Sequence, residues 1–346
     1  MNHAGAHRPI LVYGASGHTG RFIVNELIEQ GFSPVLSGRD GDKLAAVSAA
    51  HGGLPIRTAA VDDPGALEKA LQGVAAVINA AGPFAETAAP VIEAALRAGV
   101  PYLDVAAEPD VVAATIAEQA EAAQRAGLAV APGLGFYGGL GNLLATAAMG
   151  DWPHADEISL AYSLSSWKPT LGTRATIDAA EARRGGQRLV FRNQRLELRR
   201  DEAPVTEWEF PAPIGKQPVT AEFTTADAVT LSRHLPVREI AEYMTLAPLR
   251  DLSDADRSPP PAVDARGRSA QTFLVEAVVR RGPQQRRAVA TGQDIYAVTA
   301  PLVVHALHCL LAQPRPGIVA AGQLGDARAF LKALTPHHLT VHLEPA

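Results

Sequence analysis

The sequence predicts an α/β protein: a doubly wound parallel sheet carrying an inserted α+β domain built on a mostly antiparallel sheet. Three observations carry that prediction. The first 130 residues alternate short apolar runs with amphipathic helical stretches. A glycine-rich turn, GASGHTG at 14–20, sits at the first strand-to-helix junction. Beyond residue 157 the pattern changes to period-two alternation, the mark of half-buried antiparallel strands.

Element by element, 10–13 (ILVY) is an apolar run and reads as the first strand. The glycine turn follows at once. Residues 21–30 then place Phe22, Ile23, Leu27 and Ile28 on one helical face, and Gly31 ends that helix. Strands at 34–37, 56–61, 75–79, 102–105 and 128–131 alternate with helices at 42–51, 64–72, 87–98 and 111–126. Such a series of βα units implies parallel strands joined by right-handed crossovers. The later alternation is carried by Ile158, Leu160, Tyr162 and Leu164 in 157–166, and recurs in 237–246, 270–281 and 286–295. Residues 187–200 read as a hairpin, 297–311 as a buried helix and 327–334 as another. The break 251–269, DLSDADRSPPPAVDARGRS, has three consecutive prolines and many charges. It reads as a mobile loop, with a lid as the alternative.

Composition narrows the function. The 346 residues suit two domains at roughly 150 residues each. With 47% hydrophobic and 19% charged residues, the chain is globular. A net charge of −5 argues against nucleic acid as a partner. The single cysteine, Cys309, excludes a disulfide framework and a cysteine-based zinc site. The uncharged stretch 128–150 is broken by glycines and Pro132, and the apolar 297–312 is short and holds His305 and His308, so neither reads as a membrane span. The opening MNHAGAHRP has no signal core. A cytoplasmic protein is expected. Only five of 31 basic residues are Lys, which suits a GC-rich bacterial genome.

The glycine turn carries the first chemistry. Gly14, Gly17 and Gly20 form G-x-x-G-x-x-G, a Cβ-free loop that lets backbone approach a pyrophosphate at the positive end of the next helix. Ser16, His18 and Thr19 lie on the same loop, and the two hydroxyls add donors. In that context the turn reads as the nucleotide loop of a Rossmann domain. The alternative is a glycine turn that packs helix on strand. The second strand ends Ser37-Gly38-Arg39-Asp40, where an NAD site would place an acid for the ribose 2′-hydroxyl. Arg39 pairs with a 2′-phosphate instead, Ser37 lies beside it and Lys43 adds a second charge, so NADP(H) is favoured. The alternative leaves Arg39 solvated and gives the ribose to Asp40. Asp62 and Asp63 either pass the adenine edge or cap the helix that starts at Pro64. The fourth strand runs into Ala80, Ala81, Gly82 and Pro83, small residues against which a nicotinamide ribose can lie.

Taken in order, GASGHTG (14–20), SGRD with Lys43 and Leu44 (37–44), NAAGPF (79–84), AGVPYLDVAAEP (98–109), PGLGFYGGLG (132–141), TGQDIYAVTAPLVV (291–304) and GIVAAGQLGDARAFLKAL (317–334) resemble the saccharopine dehydrogenase-like oxidoreductases. The match is thin between about 180 and 270. The resemblance implies a split NADP-binding Rossmann domain, 1–141 plus 296–346, around a substrate domain at 142–295, with the active site in the cleft between them.

Candidates for the reaction follow. Tyr137, beyond the sixth strand, is placed to donate a proton or hold a substrate carbonyl or imine; the alternative is packing. In many members of that family this position looks like a small acid. Lys168 and Asp104 are the other catalytic candidates. Lys168 and Arg174 flank a helix start suited to a carboxylate or phosphate, or else are solvated. Asp104 tunes a site proton or caps structure, as does Glu108. Phe136, Trp167, Thr173 and Arg174 are the expected substrate contacts. Histidines 337, 338 and 342 cluster without a ligand pattern, and no metal is predicted. The chain lacks G-x-S-x-G and Tyr-x-x-x-Lys, which counts against acyl transfer and short-chain dehydrogenase chemistry.

The reading is an NADPH-dependent oxidoreductase acting on a C=N, C=C or C=O bond of a small metabolite. The alternatives are a trans-acting enoyl reductase for a carrier-bound lipid or polyketide, a non-enzymatic NADP-sensing or scaffold protein, and an isomerase that keeps its nicotinamide. An exposed face on the second sheet suits a homodimer.

Overall fold

The computed structural model describes residues 9–252, 256 and 258–344. The opening 1–8, positions 253–255 and 257 of the proline-rich break, and 345–346 lie outside the described residues.

The first sheet follows the predicted alternation. Strands β1 (Ile10–Tyr13), β2 (Pro34–Gly38), β3 (Ile56–Thr58), β4 (Ala76–Asn79), β5 (Tyr102–Asp104) and β6 (Ala129–Ala131) alternate with helices α1 (His18–Glu29), α2 (Gly41–Ala50), α3 (Pro64–Leu71), α4 (Phe84–Ala98) and α5 (Pro109–Ala126). The strands are parallel, in the order β6-β5-β4-β1-β2-β3. Helices cover both faces, which is why the central strands are continuous apolar runs. Local chemistry sets the helix ends. Asp40 and Asp63 cap α2 and α3 by accepting from Lys43 N (3.1 Å) and Ala66 N (2.9 Å). Gly99 and Gly127 close α4 and α5 at φ 72° and 68°, where an L side chain is strained.

Strand order reverses between β1 and β4, the switch point at which open α/β sheets bind ligands beyond their carboxyl ends. Register brings those ends level, with Tyr13 opposite both Ser37 and Asn79. The glycine turn, the Arg39 corner and the small residues after β4 therefore meet in one crevice.

After β6 the chain enters α6 (Leu140–Met149) and the second sheet. Its strands are β7 (Ala155–Leu164), β8 (Arg188–Arg192), β9 (Arg195–Arg199), β10 (Val205–Phe210), β11 (Gly215–Ala221), β12 (Val237–Thr245), β13 (Thr272–Arg281) and β14 (Gln284–Gln293). Helices α7 (Leu171–Arg184), α8 (Ala226–His234) and α9 (Leu246–Asp251) interrupt them. The order is β10-β11-β12-β7-β13-β14, with the β8–β9 hairpin attached at β12. β12 pairs with β7 in parallel, while the other pairings within the sheet are antiparallel. The inner face buries Ile158, Leu160, Tyr162 and Leu164 of β7 with Phe273, Val275, Ala277 and Val279 of β13. The middle of the outer face is not open, as the dimer expectation assumed. The β10–β11 hairpin folds over it, so that Trp208 stacks near Tyr243 (4.7 Å) and donates to Glu276 Oε2 on β13 (2.8 Å).

Helix α10 (Ile295–Ala312) then packs along α1, and β15 (Gly317–Ile318) extends the first sheet in parallel beside β6. By length and composition α10 could cross a membrane, yet most of it is buried in the protein. Helix α11 (Ala327–Leu334) packs on α6. The last strand, β16 (Leu339–Leu343), pairs antiparallel with β14. This corrects the expectation that 296–346 returns wholly to the first domain: its final strand closes an edge of the second sheet, covering backbone groups that β14 would otherwise leave bare.

Candidate functional site

The glycine loop has the shape a dinucleotide requires. Gly14 takes φ 83°, and a Cβ there would lie 2.7 Å from the Ala81 nitrogen. A Cβ on Gly20 would lie 2.2 Å from the Gly14 oxygen, and one on Gly17 3.1 Å from it. The first and third glycines thus press the loop onto the β4 tip and onto α1. The second opens the helix start, where no side chain caps α1. Gly17 is exposed there, with Ser16 and Thr19 half-buried beside it. An uncapped helix start with free N–H groups and a Cβ-free approach fits a pyrophosphate.

Residues at the second strand divide differently than the sequence suggested. Ser37 is buried and its hydroxyl donates to Arg57 O (2.7 Å), so it is not a cofactor ligand. Its carbonyl instead accepts from Gly14 N (2.8 Å) and Ala15 N (3.2 Å) and sets the loop. Asp40 is taken by the α2 cap and by Lys43 Nζ (2.9 Å), which counts against its holding a ribose and leaves Lys43 neutralised on an exposed turn. The cap and Lys43 hold Asp40 below the usual carboxylate range. Arg39 is exposed and has no partner among the described residues, which leaves its guanidinium open to a phosphate. Asp63 is the α3 cap, and Asp62 stands exposed next to it. Arg39 and Asp62 both act on the Tyr13 hydroxyl, which burial raises, so all three share one corner.

The β4 tip is held by a chain of buried polar groups. Asn79 Oδ1 accepts from Ala81 N (3.0 Å), and its Nδ2 donates to Thr87 Oγ1 (3.2 Å) and Tyr102 Oη (3.1 Å). Tyr102 donates to Asp104 Oδ2 (2.8 Å), while Asp104 Oδ1 accepts from Ala106 N (2.9 Å) and Gly133 N (2.7 Å). Asp104, a catalytic candidate by sequence, is therefore a buried structural acceptor joining the ends of β4, β5 and β6. Burial raises its pKa, against those hydrogen bonds. Glu108 likewise accepts from Phe84 N (3.3 Å) and Ala107 N (3.0 Å). Ala80, Ala81, Gly82 and Pro83 line the crevice above this network, and α7 reaches over it: a Cβ on Gly82 would lie 3.0 Å from Thr176 Oγ1.

The wall between the domains is aromatic. Tyr137 lies among Phe136, Tyr162, Trp167 and Phe223, with ring centres 4.9 to 6.1 Å away. Its hydroxyl is buried without a hydrogen-bond partner among the described residues, and burial pushes its pKa well up. Phe136, a predicted substrate contact, is core instead: it is packed against Phe273 and Tyr162, and its nitrogen donates to Thr299 Oγ1 (3.0 Å). Trp167 Nε1 donates to Tyr296 Oη (3.3 Å), and Thr173 Oγ1 lies 3.0 Å from the same hydroxyl. Lys168 is not a free cation: it is paired with Asp256 (2.7 Å) in the proline-rich break. Arg174 donates to Leu252 O (3.2 Å) and Asp256 O (2.9 Å), and its Nε is buried without a partner among the described residues.

Sequence reasoning missed two features. Tyr296, at the start of α10, touches both domains; its signal was an aromatic two residues after a helix-capping Asp294 at a domain junction. Behind the aromatic wall, Asp227 accepts from Tyr162 Oη (2.7 Å), Gly138 N (2.6 Å), Asn142 N (2.8 Å) and Thr225 Oγ1 (3.1 Å). Nearby, Glu242 accepts from Thr225 N and Ala228 N, both at 2.9 Å. Burial, reinforced by the Asp227 charge, pushes Glu242 up to about 8. Asp227 sits in a stretch without periodicity, and nothing local marks it.

Residues 10–130 match the family described as the saccharopine dehydrogenase NADP binding domain. A probable mitochondrial saccharopine dehydrogenase-like oxidoreductase of Arabidopsis thaliana is 28% identical over 142 residues, covering 37% of this chain and 31% of the relative. A saccharopine dehydrogenase-like oxidoreductase of Bos taurus is 29% identical over 118 residues, 29% of this chain and 28% of the relative. The chain thus matches less than a third of the length of these curated relatives. An apo saccharopine dehydrogenase (L-Glu forming) from Saccharomyces cerevisiae superposes with TM-score 0.66 at 13% identity, covering 98% of this chain and 100% of that one. At that identity the likeness is one of fold.

Proposed function

We propose that this chain, whose residues 10–130 match the saccharopine dehydrogenase NADP binding domain, is an NADP(H)-dependent oxidoreductase acting on a C=N, C=C or C=O bond of a small metabolite in the inter-domain cleft. When bound, NADP(H) supplies or accepts the hydride. Gly14, Gly17, Gly20 and the start of α1 hold the pyrophosphate, Arg39 the 2′-phosphate, and Ala80 to Pro83 the nicotinamide end.

One observation carries the reading. Two polar atoms at the cleft, His18 Nε2 and Tyr137 Oη, are buried without partners among the described residues. The rings between them join the two: His18 stands against Tyr296 (5.3 Å), Tyr137 against Trp167 (5.8 Å), and Trp167 Nε1 donates to Tyr296 Oη. A buried polar atom left unpaired costs about 1–3 kcal/mol, so each of these two has a hydrogen bond to gain from a ligand in the cleft. Tyr137 is the proton group of the proposal. The phenol is protonated at physiological pH; burial raises its pKa and makes it a weak acid, one that gives its proton only as charge develops on the atom of the double bond that does not receive hydride. The surrounding rings exclude water from that transfer.

NADPH oxidation by the purified protein, screened against a cyclic imine, an enoyl thioester and a ketone, tests the proposal. Turnover with one of them is expected, and Tyr137→Phe lowers it about 100-fold with little change in NADPH affinity. Unchanged turnover in that variant removes Tyr137 as the donor. NADPH binding without turnover of any acceptor favours the sensor reading.

A further inference from the structure

We infer that Tyr296 is a positioning residue that transmits cofactor binding at the glycine loop to the substrate-side segment 167–173. The inference rests on the cofactor and cleft reading above and adds a physical link between its two sites.

Donor counting fixes the direction of its hydrogen bonds. Tyr296 Oη receives Trp167 Nε1–H and Thr170 N–H, each at 3.3 Å. With two donors aimed at its lone pairs, the phenol sends its own proton to Thr173 Oγ1, at 3.0 Å. Thr173 then donates to Thr170 Oγ1, also 3.0 Å away, which in turn accepts from Thr173 N (3.1 Å). One hydroxyl thus orders three residues at the turn into α7, the helix that reaches over the β4 tip.

The other side of the Tyr296 ring faces the cofactor loop. The His18 ring stands edge-on to it, with centres 5.3 Å apart, and is held from behind by Phe22, also at 5.3 Å. Burial lowers the His18 pKa, so the ring is neutral, and its unpartnered Nε2 awaits a ligand contact. The Tyr296 backbone cannot drift to absorb a shift. Asp294, at φ 59°, accepts from Tyr296 N (2.9 Å), Ala297 N (3.1 Å) and Ser269 N (2.7 Å). A ligand that fixes His18 therefore fixes Tyr296, and Tyr296 fixes the Thr170 amide and the Thr173 hydroxyl, with the Thr173 amide held in turn by Thr170 Oγ1.

Hydrogen–deuterium exchange of the full chain, with and without NADP+, reads this directly. In the wild type NADP+ slows exchange across 14–20 and, by about tenfold, across 167–173. In Tyr296→Phe, NADP+ affinity stays within about threefold and the loop is still protected, but the effect on 167–173 is lost. Thr173→Val behaves likewise, whereas Thr173→Ser, which keeps the hydroxyl, restores the response. Equal protection of 167–173 in the wild type and Tyr296→Phe overturns the inference, as does a wild type in which only 14–20 responds. A wild type in which neither segment responds overturns the cofactor reading, and this inference with it.

Discussion

Asp104 illustrates how far a single position can be read. The Leu-Asp pattern at a strand tip marks it as special, and the chain around it offers no basis for choosing between a proton-handling acid and a cap. The choice is made by Gly133, whose amide arrives from beyond β6 to complete a set of donors that saturates the carboxylate. Asp104→Asn turns one acceptor oxygen into a donor facing those groups. It should lower stability by about 1–3 kcal/mol in urea unfolding while leaving the pH profile of any turnover unmoved. A displaced pH profile would return Asp104 to the chemistry. Lys168 and Arg174 make the same point in reverse. Their charges suggest a substrate anion, but Asp256 and the Leu252 carbonyl, distant in sequence, already occupy them. Arg39 remains open because its neighbours spend their charge on each other.

At the level of elements, legibility follows the source of the stabilising contacts. Strand β1 and helix α11 match the sequence reading to the residue, because apolar runs and amphipathic faces between clear punctuation specify them. The glycine loop is equally local, and its three glycines are not equivalent. Gly20→Ala places a methyl 2.2 Å from a backbone oxygen and should abolish NADPH binding in a direct titration. Gly17→Ala meets the same atom at 3.1 Å and should weaken binding by about tenfold or less. Equal losses would contradict the packing role assigned to Gly20. Strands β10, β11 and β16 and helix α8 were not legible. VTEWEF carries two glutamates, GKQPVTA holds Pro218, and LTVHL follows prolines and histidines; each becomes a strand through its partner strand, not its own propensity.

For the whole molecule, the cleft joins a first domain that is nearly self-evident in the sequence to a second whose wall is not. Tyr296 and the Asp227–Glu242 pair come together only when strands and helices far apart in the chain pack. The acid pair also gives the protein a pH signature. Glu242 is raised to about 8 in the fold, so the folded state binds a proton that the unfolded chain releases in the ordinary glutamate range. Stability should therefore fall as pH rises from the ordinary glutamate range to about 8 and then level off. Thermal unfolding across that window should show a shallower decline in Glu242→Gln; an identical decline would place the titration elsewhere. The central claim is that the crevice at the β1/β4 switch point holds NADP(H), with Arg39 on its 2′-phosphate. Its most direct test is an equilibrium titration of wild type and Arg39→Ala with NADPH and NADH, followed by fluorescence of the reduced nicotinamide. The account predicts that the wild type prefers NADPH and that the variant loses NADPH affinity by about tenfold or more while binding NADH as before. An equal loss for both cofactors, or a wild type that binds neither, would contradict it.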